Sequence, residues 1–379
     1  MTKLVIKLLL GIIALTCSPG AFAFDMNPID VDCWGKDFLC DFTKTSQKLK
    51  FPVHETMTLL AYDCYEKPDA CKGGVANTSA ETLKKSGRLR DLVLGSEWND
   101  DPDSLLRQGI TKAVEWYALI KDAKLQAECK EHPGESRCKG VKIAQNPMML
   151  YRSHYGDMQF IHSMASTSDE IAQITKEKMV AWAKFTYSIF IAEKNLDKQD
   201  ISSFTEVSKI INKPGWTVGA LFDPVPGGEW KPSLNPLKFG HYEPSGKPRT
   251  WNMGDGISVK YIALGSLLHM VQDSYSESHV LREFGCNPIA RSKGKIIVFR
   301  NYAGQKEDDH SIADAYPEWL KHGELPKGNA VWATAQLVNF AFKKEPWKNV
   351  ETFLDTEVFP LSDPQAKPQL GDRNCFEGR

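Results

Sequence analysis

The sequence predicts an all-α protein, on three observations. Apolar residues recur at steps of three and four in stretch after stretch, strand-like alternation is nearly absent, and no repeat or flexible linker divides the chain. In order, residues 51–65 place Met57, Leu60 and Ala61 at helical spacing, and 103–128 carry Leu105, Ile110, Val114, Tyr117 and Ile120. Residues 168–194 form a long amphipathic stretch opened by Ser168-Asp-Glu, a helix-start signal. Residues 256–275 put Ile257, Tyr261, Leu264, Leu268, Val271 and Tyr275 on one stripe, as expected of a buried seam. Residues 329–343 and 346–356 complete the helical stretches, and Lys295-Ile-Ile-Val-Phe299 is the best strand candidate. Between 213 and 254 the rhythm breaks at Pro214, Pro224, Pro226, Pro232, Pro236, Pro244 and Pro248. This reads as a long ordered loop inserted in one helical domain, because Trp216, Phe222, Trp230, Phe239 and Trp251 need burial or a partner.

The first residues read as a secretory signal. Lys3 and Lys7 precede an apolar run from Leu8 to Leu15, and Ala21-Phe-Ala23 offers a cleavage site, so residues 24–379 are expected to form the exported domain. The run is too short for an ordinary membrane span, and stable membrane insertion is not expected. Losing Cys17 leaves eight cysteines, whose spacing suggests the pairs Cys33–Cys40, Cys64–Cys71, Cys129–Cys138 and Cys286–Cys375. No Cys-x-x-Cys pair argues for zinc-finger ligation instead. The formal net charge of −1 offers no electrostatic case for tight binding to duplex nucleic acid.

The chemistry concentrates in His269-Met-Val-Gln-Asp273-Ser-Tyr-Ser-Glu-Ser-His279, answered downstream by His310-Ser-Ile-Ala-Asp314. Residues four apart on a helix share one face, so each His-x3-Asp pair can reach one metal ion. Gly265 lies one turn before His269 and would leave space over the ligands. His279, ten residues past His269, lies about 280° around an ideal helix. It therefore serves a neighbouring metal, or the helix ends within 274–278. Either way it belongs with His310 and Asp314, two histidines and a carboxylate around an open zinc position. A single histidine on an apolar helix is more often a hydrogen-bonded core residue. Five such residues together are not, because burying that many ionisable groups without a metal would cost several kcal/mol each.

His-x3-Asp-x5-His followed by a second His-x3-Asp resembles the zinc-dependent phospholipases C and the fungal and plant single-strand nucleases of the same fold. The nearest likeness is to exported bacterial zinc phospholipases C. It spans residues 51–320 as scattered motifs. The resemblance implies an all-α fold holding up to three zinc ions at the bottom of a cleft. It implies His269 and Asp273 on the first zinc, Asp273 bridging to a third, and His279, His310 and Asp314 on the second. The Trp-x-Asp of the nucleases is matched by Trp98-Asn-Asp100, with Asp101 an adjacent alternative. The remaining first-zinc histidine is His154, in Ser153-His-Tyr-Gly-Asp157, or His162, in Phe160-Ile-His-Ser-Met164, with His154 slightly favoured. His54 matches the third-zinc histidine. The family's N-terminal tryptophan has no counterpart at Phe24, so Glu55 or water would stand in for it.

The implied chemistry is hydrolysis of a phosphodiester by a metal-activated water, with Asp100 orienting the water or taking its proton. No serine or cysteine nucleophile with a base is evident. A phospholipid at a membrane surface is the favoured substrate. The chain before His54 is long, no basic stripe would track a polynucleotide, and the motifs at 98–102, 154–162 and 308–314 are similar to those of the bacterial phospholipases. Single-stranded nucleic acid is the alternative, and a zinc-stabilised binding protein without turnover is a third. In the 213–254 segment, Trp216, Leu221 and Phe222 would meet a lipid interface, stack on bases, or pack as a core lid.

Overall fold

A computed structural model describes residues 53–66, 87–102, 105, 110–141, 149–211, 215–222, 225–232, 240–249, 258–283, 294–304 and 329–368. The leader at 1–23, His310 and Asp314 lie outside them, as do the cysteine pairs Cys33–Cys40 and Cys286–Cys375. The described chain is mostly helical. The helices are α1 (Val53–Glu66), α2 (Gly87–Trp98), α3 (Ile110–Glu131), α4 (Met149–His154), α5 (Ala172–Ile191), α6 (Thr205–Ile211), α7 (Val218–Phe222), α8 (Val259–Asp273), α9 (Ala330–Phe342) and α10 (Trp347–Phe353). A short 3-10 helix spans Gln159–His162, and a π-turn, Leu354–Val358, continues α10. Among the described residues no helix is long and apolar enough to cross a membrane.

The expected helices at 51–65, 103–128, 256–275, 329–343 and 346–356 are present with shifted ends. The start signal at Ser168 is not used. Helix α5 begins at Ala172, and its first amides donate to Ala366 O at 2.8 Å and Pro364 O at 3.0 Å. A distant backbone segment thus caps the helix in place of a local side chain. At α9 a local side chain caps the helix, with Asn329 Oδ1 accepting from the Trp332 amide at 2.7 Å.

Helix α8 is the centre of the body, packed against α1, α2, α5, α7 and α9. Every residue from Ile262 to Asp273 is buried, so the apolar stripe is one side of a helix enclosed all round. Helix α2 crosses it at two glycines. A Cβ on Gly265 would lie 2.3 Å from Leu92 O, and one on Gly95 would lie 2.4 Å from Ile262 O. The expected open space above the ligands is therefore not there: Gly265 is filled by the backbone of α2. The Ser258 amide at the start of α8 donates to Asp91 Oδ2 at 2.9 Å, adding a second tie between these helices.

Two antiparallel two-stranded ladders complete the fold. β3 (Val280–Arg282) pairs with β4 (Ile296–Phe299), where the strand candidate was placed. β1 (Val225–Pro232) pairs with β2 (Gly240–Arg249), within the stretch read from the sequence as a loop. Prolines do not forbid this, because a two-stranded ladder consists of edges, where a missing N–H faces outward or falls at an irregularity. The register does shift between Pro226 and Gly228. Leu221 and Phe222 are fully buried and Trp216 is half-buried against the core, so this part of the segment packs rather than meeting an interface. The side chain of Trp230, and Phe239 and Trp251 altogether, lie outside the described residues. Cys129 and Cys138 form a disulfide, as the spacing suggests. Cys64 is also disulfide-bonded, to a cysteine outside the described residues.

Candidate metal centre

Five histidines and carboxylates from four segments meet under α8. Helix α8 ends at Asp273 and supplies His269 and Asp273, one turn apart. The chain leaving α2 supplies Asp100, the 3-10 helix supplies His162, and the N-terminal turn of α1 supplies His54. His54, His162, His269 and Asp273 are fully buried and Asp100 is 3% exposed. Two groups of donor atoms converge, Asp100–His162–His269 and His54–His269–Asp273, each within 4.8 Å.

Proton positions follow from the partners, because a carbonyl oxygen can only accept. His269 Nδ1 donates to Ser96 O at 2.6 Å, so its Nε2 carries a lone pair. His162 Nε2 donates to Asn99 O at 3.0 Å, so its Nδ1 does. These two lone pairs lie 3.1 Å apart, and each is 2.9 Å from Asp273 Oδ2. Asp100 Oδ1 closes the set at 3.7 Å from His162 Nδ1 and 3.9 Å from His269 Nε2. Asp100 Oδ1 and Asp273 Oδ2 thus each approach the same two imidazole lone pairs, and a cation bound there would relieve the crowding of acceptors. Two bonds of about 2.1 Å to one ion span at most about 4.2 Å, and each of these five separations falls within that reach. The two groups could hold metal ions.

His269 appears in both groups but offers one lone pair, so it serves one ion. Asp273 links the two groups, because Oδ2 lies 2.9 Å from His162 Nδ1 and His269 Nε2 while Oδ1 lies 3.3 Å from His54 Nε2. Burial lowers the pKa of His269 to about 3, against a partial opposing pull from Asp273. Burial likewise lowers that of His162, keeping both rings neutral as metal ligands require. Burial would raise the pKa of Asp273. The surrounding His269, His279 and His54 more than offset this, and its carboxyl is held well below the usual range.

The positions of these groups depend on packing between distant segments. Asn99 Nδ2 donates to Ile161 O at 2.7 Å and Ser266 O at 3.1 Å, while Ser266 Oγ donates to Asn99 Oδ1 at 2.6 Å. That ties the end of α2 to the 3-10 helix and α8, and sets the Asn99 carbonyl on His162. Ser163 follows in the left-handed region at φ 53°, and its Oγ donates to Met270 O at 2.6 Å. Beyond α8, the buried Arg282 donates from Nε to Ser274 O at 2.9 Å and from Nη2 to Val358 O at 2.7 Å, holding the helix stop. The chain therefore turns back, and His279 Nδ1 donates to His162 O at 2.5 Å, 3.6 Å from Asp273 Oδ2. Of the two sequence alternatives for His279, the helix ends.

His154 lies beside the centre rather than in it. Its Nδ1 is 3.1 Å from Leu150 O and 2.8 Å from Ser153 Oγ, and its ring centroid is 4.8 Å from that of His162. It belongs to neither converging group, and the geometry points to His162 instead. Asp101 turns away, its Oδ1 accepting from the Leu105 amide at 2.9 Å. Glu55 is buried on α1 but joins neither group. Asn99, Ser96, Thr58 and Gln272 escaped sequence reading. Gln272, inside His-x3-Asp, and Asn99, inside Trp98-Asn-Asp100, lay in singled-out motifs, whereas Ser96 and Thr58 did not. Compared with protein-family models, curated proteins and solved structures, the chain gives no match. Fold and site together define a mostly helical protein whose buried His/Asp groups could form a metal centre.

Proposed function

We propose that the chain is an exported zinc-dependent phosphodiester hydrolase acting on phospholipids as a phospholipase C. The observation that carries the metal-dependent part is the approach of Asp100 Oδ1 and Asp273 Oδ2 to the inward-turned lone pairs of the buried His162 Nδ1 and His269 Nε2. Zinc bound there would supply Lewis acidity to activate a water and positive charge to hold a phosphodiester anion. Asp100 offers one carboxylate oxygen to the donor set and uses the other to orient the water or accept its proton. Asp273 joins this set to His54, and His279, His310 and Asp314 would complete a neighbouring one. The carbonyls of Ser96 and Asn99 keep His269 and His162 in the tautomers that turn lone pairs inward. The preference for lipid rests on the family-like motifs at 98–102, 154–162 and 308–314 and on the near-neutral charge. Export rests on the leader-like residues 1–23.

The test is paired hydrolysis of phosphatidylcholine vesicles and single-stranded DNA, with and without a zinc chelator and with zinc restored. Release of phosphocholine that stops on chelation and returns with zinc is expected. Turnover of DNA alone would replace the lipid reading by the nuclease one, and activity surviving exhaustive metal removal would remove the mechanism.

A further inference from the structure

We propose that Gln272 is a positioning residue that presets His54 for a cation. The inference rests on the metal reading above. Gln272 sits on α8 between His269 and Asp273, and its side chain crosses to α1. There Nε2 donates to Thr58 Oγ1 at 3.0 Å, and Oε1 accepts from His54 Nδ1 at 2.7 Å. Thr58 lies four residues past His54, one turn along the same helix. All three side chains are fully buried, so water does not compete for these bonds.

A primary amide has one donating end and one accepting end. With its donating end on Thr58, Gln272 presents only its oxygen to His54. The proton therefore stays on Nδ1, and Nε2 turns a lone pair toward Asp273 Oδ1, 3.3 Å away. That carboxylate oxygen makes no hydrogen bond. The reversed amide would do the opposite. Its NH2 would donate to Nδ1, the imidazole proton would move to Nε2, and a His54–Asp273 hydrogen bond would close the gap. The orientation of one amide thus decides whether this edge of Asp273 is open to an ion or sealed by a proton. The imidazole cannot readily rotate to exchange its nitrogens, because it stacks on His269 with centroids 3.7 Å apart and planes inclined by 22°.

The test counts ions in the full chain, stripped and then equilibrated with zinc against graded chelator, by elemental analysis. Gln272→Met keeps the length and removes both polar ends. It is expected to weaken one class of ion by about 10- to 100-fold while the ion held by Asp100, His162 and His269 stays. Thr58→Val, which releases the donating end, should shift the same class in the same direction, and Thr58→Ser should restore it. In a His54→Ala background, Gln272→Met should add no further loss, an outcome that general damage to the fold would not produce. If Gln272→Met does not fold, the Thr58→Val and Thr58→Ser pair decides alone. Wild-type affinity for every ion in Gln272→Met or Thr58→Val, or an added loss in the His54→Ala background, overturns the proposal. A wild-type protein that takes up no zinc instead removes the metal reading on which it stands.

Discussion

Replacing Gly265 by alanine separates two accounts of why a glycine precedes His269. If the missing side chain leaves room for a ligand, Gly265→Ala should fold normally and lose activity. The structure demands another outcome. The new Cβ would stand 2.3 Å from Leu92 O and 2.5 Å from backbone atoms of Gly95, whereas ordinary contact begins near 3.4 Å. These are backbone atoms, so no rotamer change relieves the clash, and α2 must retreat by about 1 Å. Ser96 O would then move from 2.6 Å to about 3.6 Å from His269 Nδ1, which is no longer a hydrogen bond. The two longest edges of the donor set, 3.7 Å and 3.9 Å from Asp100, would pass the roughly 4.2 Å that two bonds to one zinc can span. Overpacking of about 1–3 kcal/mol plus a lost buried hydrogen bond of about 1 kcal/mol suggests a destabilisation of about 2–4 kcal/mol. A fall of about 5 °C or more in Tm should accompany it, with loss of bound zinc. Gly134→Ala, whose Cβ would meet nothing within 4 Å, is the control and should melt with the wild type. A Gly265→Ala protein that melts normally and retains its zinc would refute the reasoning.

Two further outcomes are expected. His162→Ala should lose the ion shared with His269 and Asp100 and with it the activity, whereas His154→Ala should keep the ion at near wild-type affinity; elemental analysis of both variants checks this. The metal-free protein should be acid-labile. Its native His269 has a pKa lowered to about 3 by burial, and the His162 pKa is also lowered. Below the unfolded value of about 6.5 the unfolded chain therefore binds more protons than the native one, and stability falls with pH. It is fully present above that value and is lost progressively toward pH 3. His269 alone should cost about 2 kcal/mol at pH 5 relative to pH 8, read from denaturant midpoints. Asp273, lowered as well, adds to the loss only below the ordinary carboxylate range. Midpoints that rise or stay flat between pH 8 and pH 5 would contradict neutral buried histidines.

Residues whose significance is local were readable in advance. Helical periodicity placed α1, α3, α8 and α9, and Lys295–Phe299 foreshadowed β4, because these signals arise from covalent spacing alone. His269 and Asp273 fall on one face for the same reason, with Nε2 and Oδ2 2.9 Å apart. Helix α2 was not anticipated. Its sequence, GRLRDLVLGSEW, mixes two glycines and four charged residues with five apolar ones, and its helicity draws on contact with α8. The hairpin of β1 and β2 was hidden by prolines that edge strands tolerate.

The order of residues along the chain was sufficient to specify a mostly helical body, a pair of ligand types one turn apart, and the disulfide between Cys129 and Cys138. Such features need only near neighbours. Three-dimensional packing brought His162 rather than His154 into a converging group, turned Asp100 inward and Asp101 away, filled the space beside Gly265, and oriented the amide of Gln272. Asp101 is held by the Leu105 amide four residues on, but the other choices are made by groups 60 or more residues distant or by the backbone of another helix. No local pattern of residue types encodes a meeting that exists only once the helices have closed on one another.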